Sequence, residues 1–521
     1  MPSQIRQATG AQFAENQSHG LDVLLSLATP KDVREYARAY DGGSLLARRG
    51  GSDRSAYGYS DAPVLPQRSQ LSRYVEPRPR PLPRKAPPLE RFGEPAPVVT
   101  YRPRQWLACL PVAMLIAGSF ALHYRLVGHH IPLGALAAWA VVTTITVAQC
   151  IMSWCHRPVK LPSALGRVAV VVPCFNEDPE LLGRVLESLR WQTRRPDWVI
   201  VTDDCSDQAD YRPLMERYPE VMWVRHRENL GKKHAQVSAW RQAPHADYII
   251  TMDSDSELEP RAVEEIMRPF SDPRVTGVAG VEMARNWNKN ILTLAIAARS
   301  LAFQLFAMSG QSVARSVLIC PGAFSAYPGW LLRKCEYPYL NEKFCGKPCR
   351  LGDDTMLTFL ALMHGRVIQQ PTAFSFPVYP EKIQHHIRQW VRWMRASTIR
   401  QLWRLRYLPL TSYGWWFTVW QVATFTAGVA ASLLVIFAWP ESRDLALEGL
   451  AGLFGWPLVL AIRLFTIQRS DQTRWQMIRG IALMPLAALW YLLVLRQIRF
   501  WGMLTCDEQG WNTRSKIEVS A

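Results

Sequence analysis

Residues Tyr248 to Glu257, reading Y-I-I-T-M-D-S-D-S-E, constrain this chain more than any other stretch. A run of apolar, strand-forming residues stops abruptly at two carboxylates, Asp253 and Asp255. Alternation along a strand edge lets both converge on one point. Two hard anionic oxygens at the carboxyl end of a buried strand suit Mg2+ or Mn2+. Such a cation in turn holds a diphosphate, whose oxygens complete its shell. A lone D-x-D is more often a solvated acidic turn, so its surroundings decide.

Those surroundings repeat the pattern. From Arg167 to about Gln370, the runs V-A-V-V-V-P, W-V-I-V-T-D-D and D-Y-I-I-T-M-D alternate with helical stretches. The helices are predicted near Glu180 to Arg190, Lys232 to Arg241 and Pro260 to Phe270. Short strands alternating with helices predict a mostly parallel sheet covered on both faces. Ligands of such sheets sit at the carboxyl ends of the strands. Here those ends carry Pro173-Cys174-Phe175-Asn176-Glu177, then Asp203-Asp204, then Asp253-Ser254-Asp255. Three polar strand ends in one unit predict a site.

The flanks read differently. Nearly half of the 521 residues are apolar, 21 are Trp, and the formal charge is +17. No nucleic-acid motif accompanies the charge, so an anionic membrane surface or anionic substrates are expected, and no nucleic acid. Residues 1–104 are basic and Pro-rich, culminating in P-R-P-R-P-L-P-R-K-A-P-P, and are expected to form a disordered cytoplasmic tail. No secretory signal is expected there. Apolar runs at Trp106 to Leu122 and Ile131 to Trp154 predict two transmembrane helices within 105–155. Flanking Arg102, Arg104, Arg157 and Lys160 place both ends in the cytoplasm.

A catalytic unit over 165–380 is expected next, then amphipathic interfacial helices over 381–410. Two further spans are expected within 411–468, about Trp415 to Trp439 and Leu445 to Ile467. Glu448 and Arg463 of the second span stand where they reach headgroups or a polar channel. Gly480 to Leu495 is shorter than a span and carries Pro485, which predicts a re-entrant or interfacial segment returning the 469–521 tail to the cytoplasmic side. The ten Cys lack the paired spacing of a zinc site or disulfide framework. Cys335, Cys345 and Cys349 form the tightest group but have no fourth ligand. Reduced thiols are expected.

Two more constellations complete the pattern. Leu351-Gly352-Asp353-Asp354 opens a helical run, and Gln389-Trp390-Val391-Arg392-Trp393 lies on the amphipathic helix. With D-D and D-x-D in that order, followed by W-N-T-R at Trp511 to Arg514, the chain resembles the membrane-embedded processive family 2 glycosyltransferases. These are the cellulose, chitin and hyaluronan synthases. The resemblance runs from about Val168 to Arg514. Tyr339 to Cys349 leading into G-D-D, and Val317 to Gly322, are most similar to hyaluronan synthases. Thr355-Met356 departs from a usual Arg-His pair, and Asn512 replaces a Gly.

The resemblance implies an α/β GT-A-type (Rossmann-like) cytosolic catalytic domain joined to a transmembrane region in the plasma membrane. It implies UDP-GlcNAc as donor, alone or with UDP-GlcA, a growing polysaccharide acceptor, and Mg2+ or Mn2+. By matching position, Asp354 is the general base, with Asp353 beside it. Asp253 and Asp255 hold the metal, and Asp253 with Asp203, Asp204 and Lys232 binds the nucleotide. Gln389 and Arg392 contact the diphosphate. Trp393 and Cys320 line the acceptor site, Trp393 bordering the nucleotide also. Trp511, Thr513 and Arg514 form a gating loop over the nucleotide. The alternatives are a synthase of chitin oligosaccharide or another β-linked homopolymer, single-sugar transfer to a lipid phosphate, and a non-catalytic membrane scaffold.

Overall fold

A computed structural model describes residues 92–103, 113–114, 117–118, 144–145, 147–437 and 457–508. Most of the expected N-terminal tail, most of the first pair of spans, residues 438–456 and the W-N-T-R tail lie outside these. The core is an eight-stranded sheet. In chain order its strands are β2 (Val168–Cys174), β3 (Trp198–Asp203), β4 (Met222–Arg225), β5 (Tyr248–Thr251), β6 (Glu257–Leu258), β7 (Val275–Glu282), β8 (Ser325–Pro328) and β11 (Arg366–Phe376). The spatial order is β4-β3-β2-β5-β8-β7-β11-β6.

Alternation within β2 shows why the sheet is covered twice. Val168, Val170 and Val172 pack with Leu182, Val185, Leu186 and Leu189 of helix α1 (Pro179–Arg190). The intervening Ala169 and Val171 pack with Val237 and Trp240 of helix α2 (Lys232–Gln242). Every residue of β2 is buried, as a two-faced strand requires. Helix α1 starts where Asp178 accepts the Glu180 N–H at 2.8 Å and Pro179 takes the first position, where no N–H is needed.

The sheet is less parallel than expected. β2, β3, β4 and β5 run together, and β7 and β11 pair in parallel, but β8 and β6 are reversed. The reversal has a cause in the sequence. Between β7 and β8 the chain inserts an apolar helical excursion, Ile291–Val313, whose first helix α3 (Ile291–Phe303) begins in an Asn290/Thr293 capping box. The chain then re-enters the sheet at the same end from which β7 left it, so β8 runs the other way. That brings Cys320 to Phe324, which precede β8, to the end of the sheet where β2, β3, β5 and β7 finish.

A helical layer lies on this unit. It comprises α5 (Ile383–Tyr407), α6 (Tyr413–Phe437), α7 (Arg474–Ala482), α8 (Met484–Trp490) and α9 (Arg496–Leu504), preceded in the sheet unit by α4 (Asp353–His364). Among the described residues, Ile291–Val313 and Arg474–Leu504 are long and apolar enough to cross a membrane by length and composition alone. The second run corrects one expectation. Gly480 to Leu495 is not an isolated short segment broken at Pro485, because it sits inside a 31-residue helical run. Leu483 makes a single turn there, and Pro485 falls at the start of α8, where its missing N–H is tolerated. A π-turn over Tyr491–Leu495 absorbs the change of register into α9.

Both ends of this run are tied to the sheet unit. At its start, β12 (Ile467–Arg469) pairs with β1 (Val99–Tyr101), and Arg469 donates to the Ala284 carbonyl at 2.8 Å. At its finish, Lys347 of a small hairpin formed by β9 (Lys343–Phe344) and β10 (Lys347–Pro348) pairs with Asp507 at 2.7 Å. Arg395 of α5 binds Glu508 and donates to Thr505 at 3.0 Å. Arg463 also departs from expectation: it is buried and donates to the backbone carbonyls of Ser153 and Leu305 rather than reaching outward. Burial of a guanidinium requires such acceptors.

Candidate active site

The carboxyl-end loops interlock around the first acidic strand ends. Glu177, after β2, accepts from Ser254 Oγ at 2.7 Å, so the first loop is fastened to the residue between Asp253 and Asp255. Asp203 is buried and accepts the Ser206 N–H at 2.8 Å, with Arg225 3.4 Å away. Burial pushes its carboxyl upward. Asp204 takes the Gly231 N–H at 2.7 Å, the Leu230 N–H at 3.0 Å and His226 Nδ1 at 2.7 Å. Its oxygens thus hold the loop that delivers Lys232. The geometry makes Asp203 and Asp204 loop-fasteners, whose carboxylates face inward.

Lys232 is the centre of the site. Standing at the first position of α2, its ammonium lies 2.7 Å from Asp253 and 2.8 Å from Asp353. It joins the end of β5 to the start of α4. Burial alone would depress the lysine, but the two carboxylates outweigh it and hold the ammonium charged. Gly322 explains how the three elements fit. A Cβ there would meet Lys232 Nζ at 3.2 Å and Asp253 Oδ2 at 3.4 Å. The C-P-G turn therefore borders the cleft with bare backbone.

Asp353 and Asp354 are adjacent in sequence and opposite in character. Burial raises Asp353, but the Lys232 ammonium outweighs it and brings the carboxyl below the ordinary range. Burial, then the neighbouring Asp353 charge, pushes Asp354 up to about 7, and Lys232 only partly offsets this. Asp354 Oδ1 accepts the Thr355 N–H at 2.6 Å, and its carbonyl accepts from Thr358 Oγ1 at 2.7 Å. Gly352, just before, has a left-handed φ of 73°. A Cβ there would lie 2.7 Å from the Ala396 Cβ of α5. Only glycine permits both the turn and this close approach.

Through that contact the helix that presses on the turn before Asp354 is the one that carries Gln389, Arg392 and Trp393. Trp393 is half-exposed and its ring lies 5.7 Å from that of Trp390, which donates to the Leu495 carbonyl at 3.2 Å. Cys320 is fully buried, with its N–H on Thr358 Oγ1 at 2.8 Å. Burial pushes its thiol up to about 12. The structure sets it one layer behind Asp354, connected through Thr358. Trp511, Thr513 and Arg514 lie outside the described residues. The chain at Thr505 to Glu508 nonetheless arrives against α5 and the hairpin that precedes Gly352.

Sequence reasoning missed Glu282. It ends β7 as Asp203 ends β3, so the run V-T-G-V-A-G-V-E carried the same signal of an apolar strand closing on an acid. Desolvation, then the charges of Asp253, Asp354 and Asp255, push its carboxyl up to about 8. The other omission is the buried triad beneath the site. Glu342 binds Lys233 at 2.6 Å and also Arg400 of α5. No local motif announces it, because its members lie far apart in sequence.

The donor chemistry fits a divalent cation. Asp253 and Asp255 offer hard oxygens beside a glycine-bordered space, and the crowding that lifts Glu282 and Asp354 reflects negative potential that a cation relieves. Among the described residues no group of three His, Cys, Asp or Glu side chains is spaced to hold a metal. A bound phosphate would supply further oxygen ligands beside the two carboxylates. Cys335, Cys345 and Cys349 are likewise free thiols.

Comparison with known proteins now separates the possibilities. Residues 169–333 match glycosyl transferase family 2. This chain is a glycosyltransferase that carries a family 2 domain. It is 28% identical over 391 residues to the hyaluronan synthase of Streptococcus pyogenes, covering 73% of this chain and 90% of that one. An N-acetylglucosaminyltransferase from a Rhizobium species is 28% identical over 358 residues, covering 67% and 77%. A mannosyltransferase from Pyrobaculum calidifontis, solved with GDP-Man and Mn2+, aligns at TM-score 0.39 and 20% identity, over 74% of this chain and 99% of that one. The chain is thus a glycosyltransferase similar to hyaluronan synthases, with a GT-A-like mixed sheet, and its family 2 domain implies a nucleotide-sugar donor and a sugar acceptor. A catalytic role replaces the scaffold alternative.

Proposed function

We propose that this glycosyltransferase polymerises UDP-sugars processively and passes the product across the membrane, as a hyaluronan-type synthase. The observation that carries the reading is the placement of Asp354. A carboxyl pushed up to about 7 stands beside an ion-paired Asp353, on a helix pressed by the one that bears Gln389, Arg392 and Trp393. An acceptor hydroxyl must lose its proton as it attacks, and Asp354 in its ionised form takes it. The anomeric carbon inverts as the bond to the diphosphate breaks. Asp253 and Asp255 would hold Mg2+ or Mn2+, which neutralises the charge developing on the departing UDP. Lys232 lies within reach of that charge, and the guanidinium of Arg392 suits phosphate oxygens.

Trp393 offers a flat, half-exposed ring for an acceptor sugar, a contact that grips without fixing register. Cys320 backs this site through Thr358. The membrane reading rests on the helical layer. Apolar side chains at Trp475, Leu486, Leu493, Trp501 and Leu504 are exposed there beside arginines, as on a helix lying in a bilayer surface. On this reading α5 and the Arg474–Leu504 run are interfacial, Tyr413–Phe437 spans, and the catalytic unit faces the cytoplasm. Delivery of the chain at Glu508 to the side of α5 supports a gating role for Trp511, Thr513 and Arg514.

UDP release by the purified protein with Mg2+ or Mn2+ tests this. UDP-GlcNAc, UDP-GlcA and UDP-Glc are supplied singly and in pairs. Release only with UDP-GlcNAc and UDP-GlcA together is expected. Sustained release with UDP-GlcNAc alone replaces this with a homopolymer or chitin-oligosaccharide synthase. That second reading is favoured by similarity to the N-acetylglucosaminyltransferase and by Thr355-Met356 in place of Arg-His.

A further inference from the structure

We infer that Glu282 is the residue that reads the hydroxyls of the transferred sugar, and so sets donor specificity. The inference rests on the glycosyl-transfer reading above, and geometry carries it. In a single inversion the transferred ring lies between two fixed points. The departing diphosphate is at Asp253 and Asp255, and the attacking hydroxyl is at Asp354. Glu282 closes β7, two strands from β5, and feels the charges of all three carboxylates. A group near both the departing and the attacking side faces the space between them.

Its attachments aim it there. The Glu282 N–H donates to Gln304 Oε1 at 2.8 Å and its carbonyl accepts from Gln304 Nε2 at 3.0 Å, so both backbone groups are fixed by one buried amide. Two residues before it, the Gly280 N–H donates to the Phe324 carbonyl at 3.1 Å, which sets the end of β7 against the turn that carries Ala323. Ala323 follows Gly322, whose missing side chain leaves the space beside Lys232 and Asp253 open. Among the described residues no cation pairs with Glu282. The neighbouring acids are engaged: Asp253 and Asp353 with Lys232, Asp203 with Arg225, Glu257 with Arg285. The remaining hydrogen-bonding capacity of Glu282 is free for a ligand, and a carboxyl that is neutral or charged accepts from a sugar hydroxyl.

A site built to hydrogen-bond one hydroxyl pattern discriminates strongly against another, because a mismatch leaves buried polar groups unpaired. Glu282 differs in this from Asp253 and Asp255, which serve every UDP-sugar alike.

The test compares wild type with Glu282→Ala and Glu282→Gln. UDP release is measured with UDP-GlcNAc, UDP-Glc, UDP-GalNAc and UDP-GlcA in turn, each alone and with UDP-GlcNAc, and UDP binding is measured in Mn2+. Glu282→Ala is expected to lower kcat/KM for the preferred donor about ten- to a hundredfold and to narrow its lead over the next donor. UDP affinity should stay unchanged, and Glu282→Gln should retain most of the preference. An equal loss for every donor overturns the inference. So does a fall in UDP binding that tracks activity, which makes Glu282 a further metal ligand. Should Glu282→Ala fail to fold, Glu282→Asp carries the test, since retracting the carboxyl must shift the donor ratio. A wild-type protein that consumes no donor overturns the glycosyl-transfer reading and this inference together. An unchanged donor profile in an active variant overturns the inference alone.

Discussion

The sheet unit and the helical layer are built from the same apolar residues and treat them in opposite ways. Val168 to Val172, with Leu182, Val185, Leu186 and Leu189, are withdrawn from solvent. In the layer, Trp475 is 76% exposed and Leu493 61% exposed, on helices that are no less apolar. The difference teaches that one chain is written for two solvents. The sheet unit finds its apolar environment inside itself, whereas the layer leaves its own to be supplied from outside. The proposed active site sits at the seam, where Gly352 meets Ala396.

Several substitutions break or sharpen this contrast. The largest effect is chemical and belongs to the sheet side. Asp354→Asn should lower UDP release roughly 10²–10⁴-fold while UDP binding by calorimetry is retained. Glu342→Ala comes next, because it strands Lys233 and Arg400 in the interior beneath the seam. It should cost about 3–5 kcal/mol in denaturant unfolding. Leu186→Ala, wholly inside the sheet unit, should cost about 2–5 kcal/mol by the same measurement. Trp475→Ser and Leu493→Ser should change stability by no more than about 0.5 kcal/mol and instead weaken flotation with anionic vesicles. Equal destabilisation by both sets would erase the distinction between the regions.

The pH dependence sharpens the picture of the seam. With Asp354 near 7, the ionised base gains population as pH rises. Initial rates should therefore climb through about pH 7 and level off above it. Asp353, held low by Lys232, remains ionised throughout and adds no second limb on the acid side. A rate profile flat from about pH 5 to about pH 9 would place the base elsewhere.

Legibility in the sequence followed the range of the forces involved. The strands were legible because burial on both faces leaves near-continuous apolar runs, and the acids that end them stand out. The reversed β8 was not, since the excursion over Ile291–Val313 reads locally like any apolar helix. Lys232 was named by the resemblance, but its position between Asp253 and Asp353 joins residues far apart in sequence. Glu282 carried a readable signal that was passed over. Gly480 to Leu495 reads as a short segment broken at Pro485 because proline's effect depends on whether its lost N–H had a partner, a fact of three dimensions.

The contact of Gly352 with Ala396 limits how a product can advance. Trp393 and Ala396 are three residues apart on one helix, so they ride together. A slide of α5 by one turn, about 5.4 Å, would carry the aromatic platform forward and lift Ala396 off the turn that orients Asp354. Each advance would then dismantle the base that the next addition requires. If the chain is the processive synthase proposed above, its polymer slips past a stationary platform, and any ratchet belongs to the sugar rather than to the helix.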